Sequence, residues 1–240
     1  GKALLISEDP FAGFNKLKEH FRPFERANNL CSDTAVIGKG TVIQPGVFVG
    51  NHVTIGEDCL IHPNVIIYDH TIIGDRVTVH SGTVLGADAF YYKNRPEAYD
   101  QLKSSGRVVV QNDVHLGALC TIDKGVSGDT IIGAGTKIDN QVHVGHDTSI
   151  GSKCLIAAQT GIAGCVVIQD QVTIWGQVGI TSAITIGKGA VIYAQSGVSK
   201  SLEGNKTYYG TPAEEFRKKY KEMAAIRQIP ELIDQLKKMK

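Results

Sequence analysis

The residues best placed to do chemistry lie in DNQVHVGHDTSIG (Asp139–Gly151), where His143 and His146 stand three apart and Asp147 follows the second. An imidazole that titrates near neutrality can take a proton from an attacking amine or hydroxyl. Gly164 stands eighteen residues after His146. With no side chain, its backbone N–H is open to hold an oxyanion. Together the two make a minimal acyl-transfer site, with Asp147 or a neighbouring chain's carboxylate orienting the ring. An ordinary surface histidine fits the same spacing.

The distance of eighteen matters because of the pattern around it. From Ile132 to Val198 every sixth residue is aliphatic: Ile132, Ile138, Val144, Ile150, Ile156, Ile162, Ile168, Ile174, Ile180, Ile186, Ile192 and Val198. The position four after each tends to be small, as at Thr136, Thr148, Cys154 and Ala190. A helix with 3.6 residues per turn would scatter this period around its circumference. Short strands joined by tight turns accommodate it, so the spacing predicts a three-sided parallel β-helix in which three hexads close one coil. His146 falls two after Val144 and Gly164 two after Ile162, which puts both at one corner on adjacent coils, roughly 4.8 Å apart.

The beat starts at Ile37, runs to Leu85, and fails between Gly86 and Arg107. That insertion gathers Phe90, Tyr91, Tyr92 and Tyr99, and reads as a flap that helps build a site rather than a plain loop. The beat returns at Val110, slips by four through KGVSGD, and then locks in. The domain reading is a helical lead-in over 1–35, a β-helix over 36–200 with the insertion at 86–107, and terminal helices over 201–240. Asp9-Pro10 starts the lead-in helix. Thr211, Pro212 and Glu214 read as a capping box opening a first short C-terminal helix, with a second beginning at Pro230 and striped by Leu232, Ile233, Leu236 and Met239.

The 240 residues carry a formal net charge of +1, a balance that argues against nucleic-acid binding. No apolar run reaches the ~20 residues of a membrane span. No signal peptide is visible, and Gly1 suggests a processed start. Five cysteines without a CxxC pair read as core filler in a reducing, cytoplasmic compartment, with Cys59, Cys120 and Cys154 in inward slots. The 27 glycines suit corners that need φ > 0. His62 and His80, eighteen apart, should stack, but two ligands are too few for a metal site. His52 and His70 read as inert, and His115 has no assignment. Apolar residues at outward positions suggest a homotrimer. The basic C-terminal tail suits an acidic partner or is simply a solvated face.

The segments TIDKG (Thr121–Gly125), GDTIIG (Gly128–Gly133), KIDNQVHVGHD (Lys137–Asp147) and LIAAQTGIAG (Leu155–Gly164) resemble the UDP-3-O-acylglucosamine N-acyltransferases of lipid A biosynthesis. GADAF (Gly86–Phe90) and GTPA (Gly210–Ala213) are similar too. The resemblance implies an all-β, left-handed parallel β-helix trimer. It implies His146 as general base, Gly164 as the oxyanion-hole glycine, and Asp123, Asn140, Gln141 and His143 as substrate-binding positions near the cleft between subunits. The implied reaction moves a 3-hydroxyacyl group from acyl carrier protein to the 2-amine of UDP-3-O-acylglucosamine. Its donor is a phosphopantetheine thioester, with no metal and no permanently bound cofactor. Two departures stand out. Only the closing segment of the family's N-terminal uridine-binding domain (Ala3–Leu17) is recognisable, and Ala183 aligns with a further active-site histidine.

Three readings compete. The first is this N-acyltransferase; the second is a UDP-N-acetylglucosamine O-acyltransferase or an acyl-CoA-dependent sugar acetyltransferase; the third is a non-catalytic trimeric scaffold. Acyl-chain length would be set at the far end of an inter-subunit groove, for which Trp175, Tyr193 and Gly197 are candidates.

Overall fold

Two-residue strands such as Lys137–Ile138, His143–Val144 and Ser149–Ile150 succeed one another every six residues. Each sends one residue inward and one outward, because side chains alternate along a strand. The structure, a computed structural model, describes residue 4 and residues 6–238. Ala3 of the lead-in and Met239 of the terminal stripe lie outside the described residues.

The strands stack into three parallel sheets, the faces of a prism. Face I carries Ile132, Ile150 and Ile168 inward; face II carries Ile138, Ile156 and Ile174; face III carries Val144, Ile162 and Ile180. Partners are eighteen apart, as in His143↔Gly161, Gly161↔Gly179 and Gly179↔Gly197. The ladder reaches one hexad upstream of Ile37, where Cys31 bridges to Val49. The flap lengthens one step, with Val110 pairing back to Ile73, and the slip of four lengthens the next, where Ile132 pairs with Val110.

The aliphatic hexad positions are buried from Val49 to Val198, each such side chain contributing about 1.5–3 kcal/mol. The small inward slots solve a polar problem as well. Thr136 donates its hydroxyl to the Gly151 carbonyl at 2.8 Å and accepts the Cys154 amide at 3.0 Å. The Cys59, Cys120 and Cys154 thiols donate to carbonyls of the next coil at 3.0–3.2 Å, and burial pushes all three up from the ordinary thiol value. All five cysteines are free.

Glycine has a different main task from the expected one. Many corners hold a non-glycine at φ near +60°, among them His52, Gln141, Asp147 and Cys165. Glycine is required where coils nearly touch: a Cβ on Gly145 would lie 2.6 Å from the Gly164 nitrogen.

The insertion folds as an antiparallel hairpin, Tyr92–Asn94 against Tyr99–Gln101. The lead-in helix α1 (Pro10–Phe21) starts on Asp9, whose carboxylate accepts the Ala12 amide. The C-terminus departs from expectation. Thr211 opens no helix, because Glu214–Glu215 pairs with Tyr208–Tyr209 as an extra strand on face II. Glu215 then accepts the Arg217 and Lys218 amides at 3.2 and 3.1 Å. A single helix, α2 (Phe216–Lys238), runs through Pro230 in place of two short ones. Tertiary pairing has overridden the local capping signal.

Candidate functional site

His146 and Gly164 meet at the corner between faces III and I. A Cβ on Gly164 would lie 2.5 Å from His146 Nε2, so the ring covers the glycine and only a residue without a side chain fits. His146 Nδ1 faces Asp147 Oδ2 at 2.8 Å. Asp147 also accepts the Val126 and Gly128 amides at 2.8 and 3.1 Å. Burial pushes the Asp147 carboxyl up, but those donors outweigh it and hold the group below the usual carboxylate range. An ionised carboxylate only accepts, so Nδ1 carries the proton and Nε2 offers its lone pair toward Gly164. The slip of four at KGVSGD has a purpose here: it supplies the Val126 and Gly128 amides that hold Asp147.

A groove of about 830 Å³ runs from this corner along face III. Gly161, Gly179 and Gly197 stand one above another at its floor. A Cβ on Gly161 or Gly179 would meet nothing within 4 Å, so the floor is smooth by sequence choice and not by crowding. Ile162, Ile180 and Val198 line the groove, Phe90 of the flap stands at the His146 end, and Thr211 and Pro212 stand at the other. From the His143 rung to the Gly197 rung is three strand spacings, about 14 Å.

Asp123 and His143 share this groove with His146. Asp123 is buried, which pushes its carboxyl up, and His143 Nε2 lies 3.8 Å from it. The His143 ring is fixed from its other side by Thr121 Oγ1 at 2.8 Å. Asn140 and Gln141 are not brought to this groove within one chain. They occupy the preceding corner, between faces II and III. There Asn140 accepts the Ala118 amide, and Gln141 begins a side-chain ladder through Gln159, Gln177 and Gln195. Trp175 and Tyr193 also miss the groove: each follows an inward residue of face II, and both line a separate depression. Of the three chain-length candidates, Gly197 lines the groove. Ala183 lies against the Gly164 carbonyl through its amide, at 3.2 Å.

One contributor had only a coarse sequence signal, the aromatic content of the flap. The Tyr91 ring meets His146 edge-on, with centroids 5.7 Å apart. The flap is fastened to α1 by Arg95 to Asp9 at 2.7 Å and by Asn15 to the Gln101 carbonyl and the Lys103 amide. Phe11 of α1 packs on Tyr91 at 6.4 Å. The lead-in helix thus steadies a ring that covers His146.

Ligand-type atoms of His146, Asp147 and Cys165 lie within 4.8 Å of one another. The Asp147 oxygens are already engaged by two amides and an imidazole, which suits an oriented base better than a metal cage. No helix among the described residues is long and apolar enough to cross a membrane.

These coils, with their corner histidine and glycine-floored groove, define a hexapeptide-repeat β-helix. The family model for bacterial transferase hexapeptide repeats matches residues 52–87 and 129–164. The chain is similar to UDP-3-O-acylglucosamine N-acyltransferases: 42% identical over 167 residues to that of Methylobacillus flagellatus, and 45% over 169 to one of Legionella pneumophila. Each match covers 60% of this chain and 48% of the relative, so the match spans about half the relatives' length. A UDP-N-acetylglucosamine acyltransferase from Bacteroides fragilis superposes with a TM-score of 0.71 at 25% identity, covering 77% of this chain and 71% of that one. A second solved UDP-N-acetylglucosamine acyltransferase gives 0.70 at 27% identity over 87% and 81%. These neighbours are left-handed β-helices, and the coil here winds the same way.

Proposed function

We propose that this protein is an N-acyltransferase that moves a 3-hydroxyacyl group from acyl carrier protein to the 2-amine of UDP-3-O-acylglucosamine, a step of lipid A biosynthesis. The observation that carries the reading is the Nε2 lone pair of His146, steadied by Asp147 and laid across the side-chain-free Gly164. The 42–45% identity to N-acyltransferases supports this acceptor.

In the proposed reaction the acceptor amine attacks the thioester carbonyl while His146 Nε2 removes its proton. The C=O electron pair moves to oxygen, and the Gly164 N–H, which donates to no acceptor among the described residues, holds that charge. Collapse expels the phosphopantetheine thiolate, which recovers the proton from the imidazolium. Every proton is accounted for by one imidazole, and no metal or bound cofactor takes part. Asp123 and His143 would contact the acceptor beside the base, and the glycine-floored groove would receive the acyl chain. Asn140 and Gln141 would contribute across a trimer interface, from the neighbouring chain's corner. The homotrimer itself is supported by half-exposed Leu155, Val167 and Trp175 on the outer faces. The carrier-protein donor of the proposed reaction supports a cytoplasmic location.

The second reading, O-acylation of UDP-N-acetylglucosamine, is favoured by the superpositions at 0.70–0.71. One assay separates the two: 3-hydroxyacyl carrier protein is offered with the free 2-amine sugar nucleotide or with its N-acetyl form. Transfer to the amine alone supports the proposal. Transfer to the N-acetyl form alone overturns it, and transfer to neither favours the scaffold reading.

A further inference from the structure

His80 and His115 stand 35 residues apart in sequence, on the two coils that flank the insertion. Their strands pair directly on face II, His115 opposite Thr78 and Leu116 opposite Val79. His115 therefore projects outward from within its strand, and His80 turns outward just after its own. The two rings converge, with Nε2 of one 2.8 Å from Nε2 of the other. His62 stacks on His80 with centroids 4.5 Å apart and planes 9° from parallel. Lone pairs of parallel rings point side by side, so His62 and His80 alone could not meet on one ion; His115 supplies the convergence. Gly117 follows Leu116 as His80 follows Val79, and it has no side chain to fill the space beside the pair. A Cβ there would lie 2.5 Å from the Asp139 carbonyl carbon. Both rings open into a depression of about 520 Å³ that Asp139 also lines. Asp139 spends one oxygen on the Asn140 amide at 2.7 Å, and Lys137 turns its ammonium onto the Asp113 carbonyl at 2.7 Å.

We infer that His80 and His115 together bind one divalent transition-metal ion of the Ni²⁺ or Cu²⁺ type, as a clamp across the root of the flap. Two imidazole nitrogens, each about 2.1 Å from one ion, lie about 3.0 Å apart at right angles and about 3.4 Å apart in a tetrahedron. The observed 2.8 Å fits the right angle, which belongs to square-planar and octahedral sites and not to a closed tetrahedral zinc site. Only one proton fits between the two Nε2 atoms. The ion takes its place and that proton moves to Nδ1 of the same ring, so both imidazoles stay neutral and each offers a lone pair. Water completes the coordination on the side of the depression, where Asp139 can accept its hydrogens. No residue that lines this depression lines the His146 groove, so the ion has no part in acyl transfer. It ties the coil before the insertion to the coil after it.

The test is a calorimetric titration of the full chain, first stripped with a chelator, with NiCl2 and with MgCl2. The expected result is one Ni²⁺ per chain and no binding of Mg²⁺, which prefers oxygen ligands. His80→Ala and His115→Ala should each weaken Ni²⁺ about tenfold or more. His115→Gln, which keeps a hydrogen-bonding partner for His80, should lose the ion to the same extent and guards against misfolding of the alanine variants. His146→Ala and Cys165→Ser, which dismantle the other group of ligand-type atoms, should leave the affinity within about twofold. Saturating Ni²⁺ should raise the melting temperature of the parent and not of the His115 variants. With Cu²⁺ as the probe, electron paramagnetic resonance should show coupling to two imidazole nitrogens in the parent and to one in His115→Gln. Undiminished Ni²⁺ affinity in the His80→Ala, His115→Ala double variant overturns the inference, and so does loss of the ion in His146→Ala or Cys165→Ser instead. None of these readouts depends on acyl transfer, so this site and the proposed reaction stand or fall separately.

Discussion

Two of the histidine groups on this prism differ in everything except residue type. On face II, His62 stacks on His80 with centroids 4.5 Å apart and planes 9° from parallel, and His80 Nε2 meets His115 Nε2 at 2.8 Å. Two of these rings, His80 and His115, share a depression with Lys137 and Asp139, and none of the three pairs with a carboxylate among the described residues. At the corner of faces III and I, Asp147 fixes one nitrogen of His146 and Gly164 clears the space beside the other. An outward imidazole on a coil is therefore not yet a base. In the proposed site, a carboxylate held by two amides stands behind the ring and a missing Cβ stands in front of it.

The sharpest way to break this comparison is to remove one imidazole from each group. His146→Ala should lower acyl transfer by about 10² to 10⁴-fold, while His80→Ala and His115→Ala should leave the rate within about twofold. Single-turnover transfer from 3-hydroxyacyl carrier protein reads all three. Comparable losses at His115 would mean that the face II group takes part in the reaction. Gly164→Ala comes next. Its methyl would enter the space of the His146 ring and displace it from the oxyanion site, with an expected loss of about 10²-fold and little change in melting temperature. Full activity in that variant would remove Gly164 from the proposal.

Much of this was open to sequence arithmetic. Counting by six fixed which residues point inward, and counting by eighteen brought His146 to Gly164. The same counting would also have separated Asn140, two after Ile138, from His146, two after Val144, since the two inward residues belong to different faces. Trp175 and Tyr193, each one after a face II position, could have been excluded from the face III groove in the same way. Other features were beyond any period. The contact of Tyr91 with His146 depends on how the hairpin docks on α1, through Asp9–Arg95 and Asn15, over sequence separations of more than eighty residues. The failed capping box at Thr211 reflects competition from strand pairing at Tyr208–Tyr209, which local propensity does not register.

Two smaller effects sharpen what sets His146 apart. Asp147→Asn replaces an acceptor with a group that can also donate, so the favoured tautomer of His146 is lost. Transfer should fall roughly 10 to 100-fold, and a dependence of the rate on donor chain length should be retained. Gly179→Leu leaves His146 untouched but fills the groove floor one rung beyond Gly161. Long-chain donors should lose about tenfold in kcat/KM relative to short ones, measured as a ratio across a donor series. An unchanged ratio would place the acyl chain elsewhere.

The face II histidines should report themselves through stability instead of rate. Burial, then His115 and His62, lower His80, while burial, then Lys137 and His62, lower His115. Both rings therefore bind a proton less readily in the folded chain than in the unfolded one, where imidazole titrates near 6.5. Their contribution is present above about pH 6.5 and is lost as pH falls below it through the folded values. Protonating both would also set two cations against each other where one hydrogen bond now stands. The melting temperature should accordingly decline between about pH 7 and pH 5, and His115→Gln, which keeps a polar partner for His80 without a second titrating ring, should flatten that decline. An equal decline in the variant would assign the acid sensitivity to other groups and leave the His80–His115 contact without a role in stability.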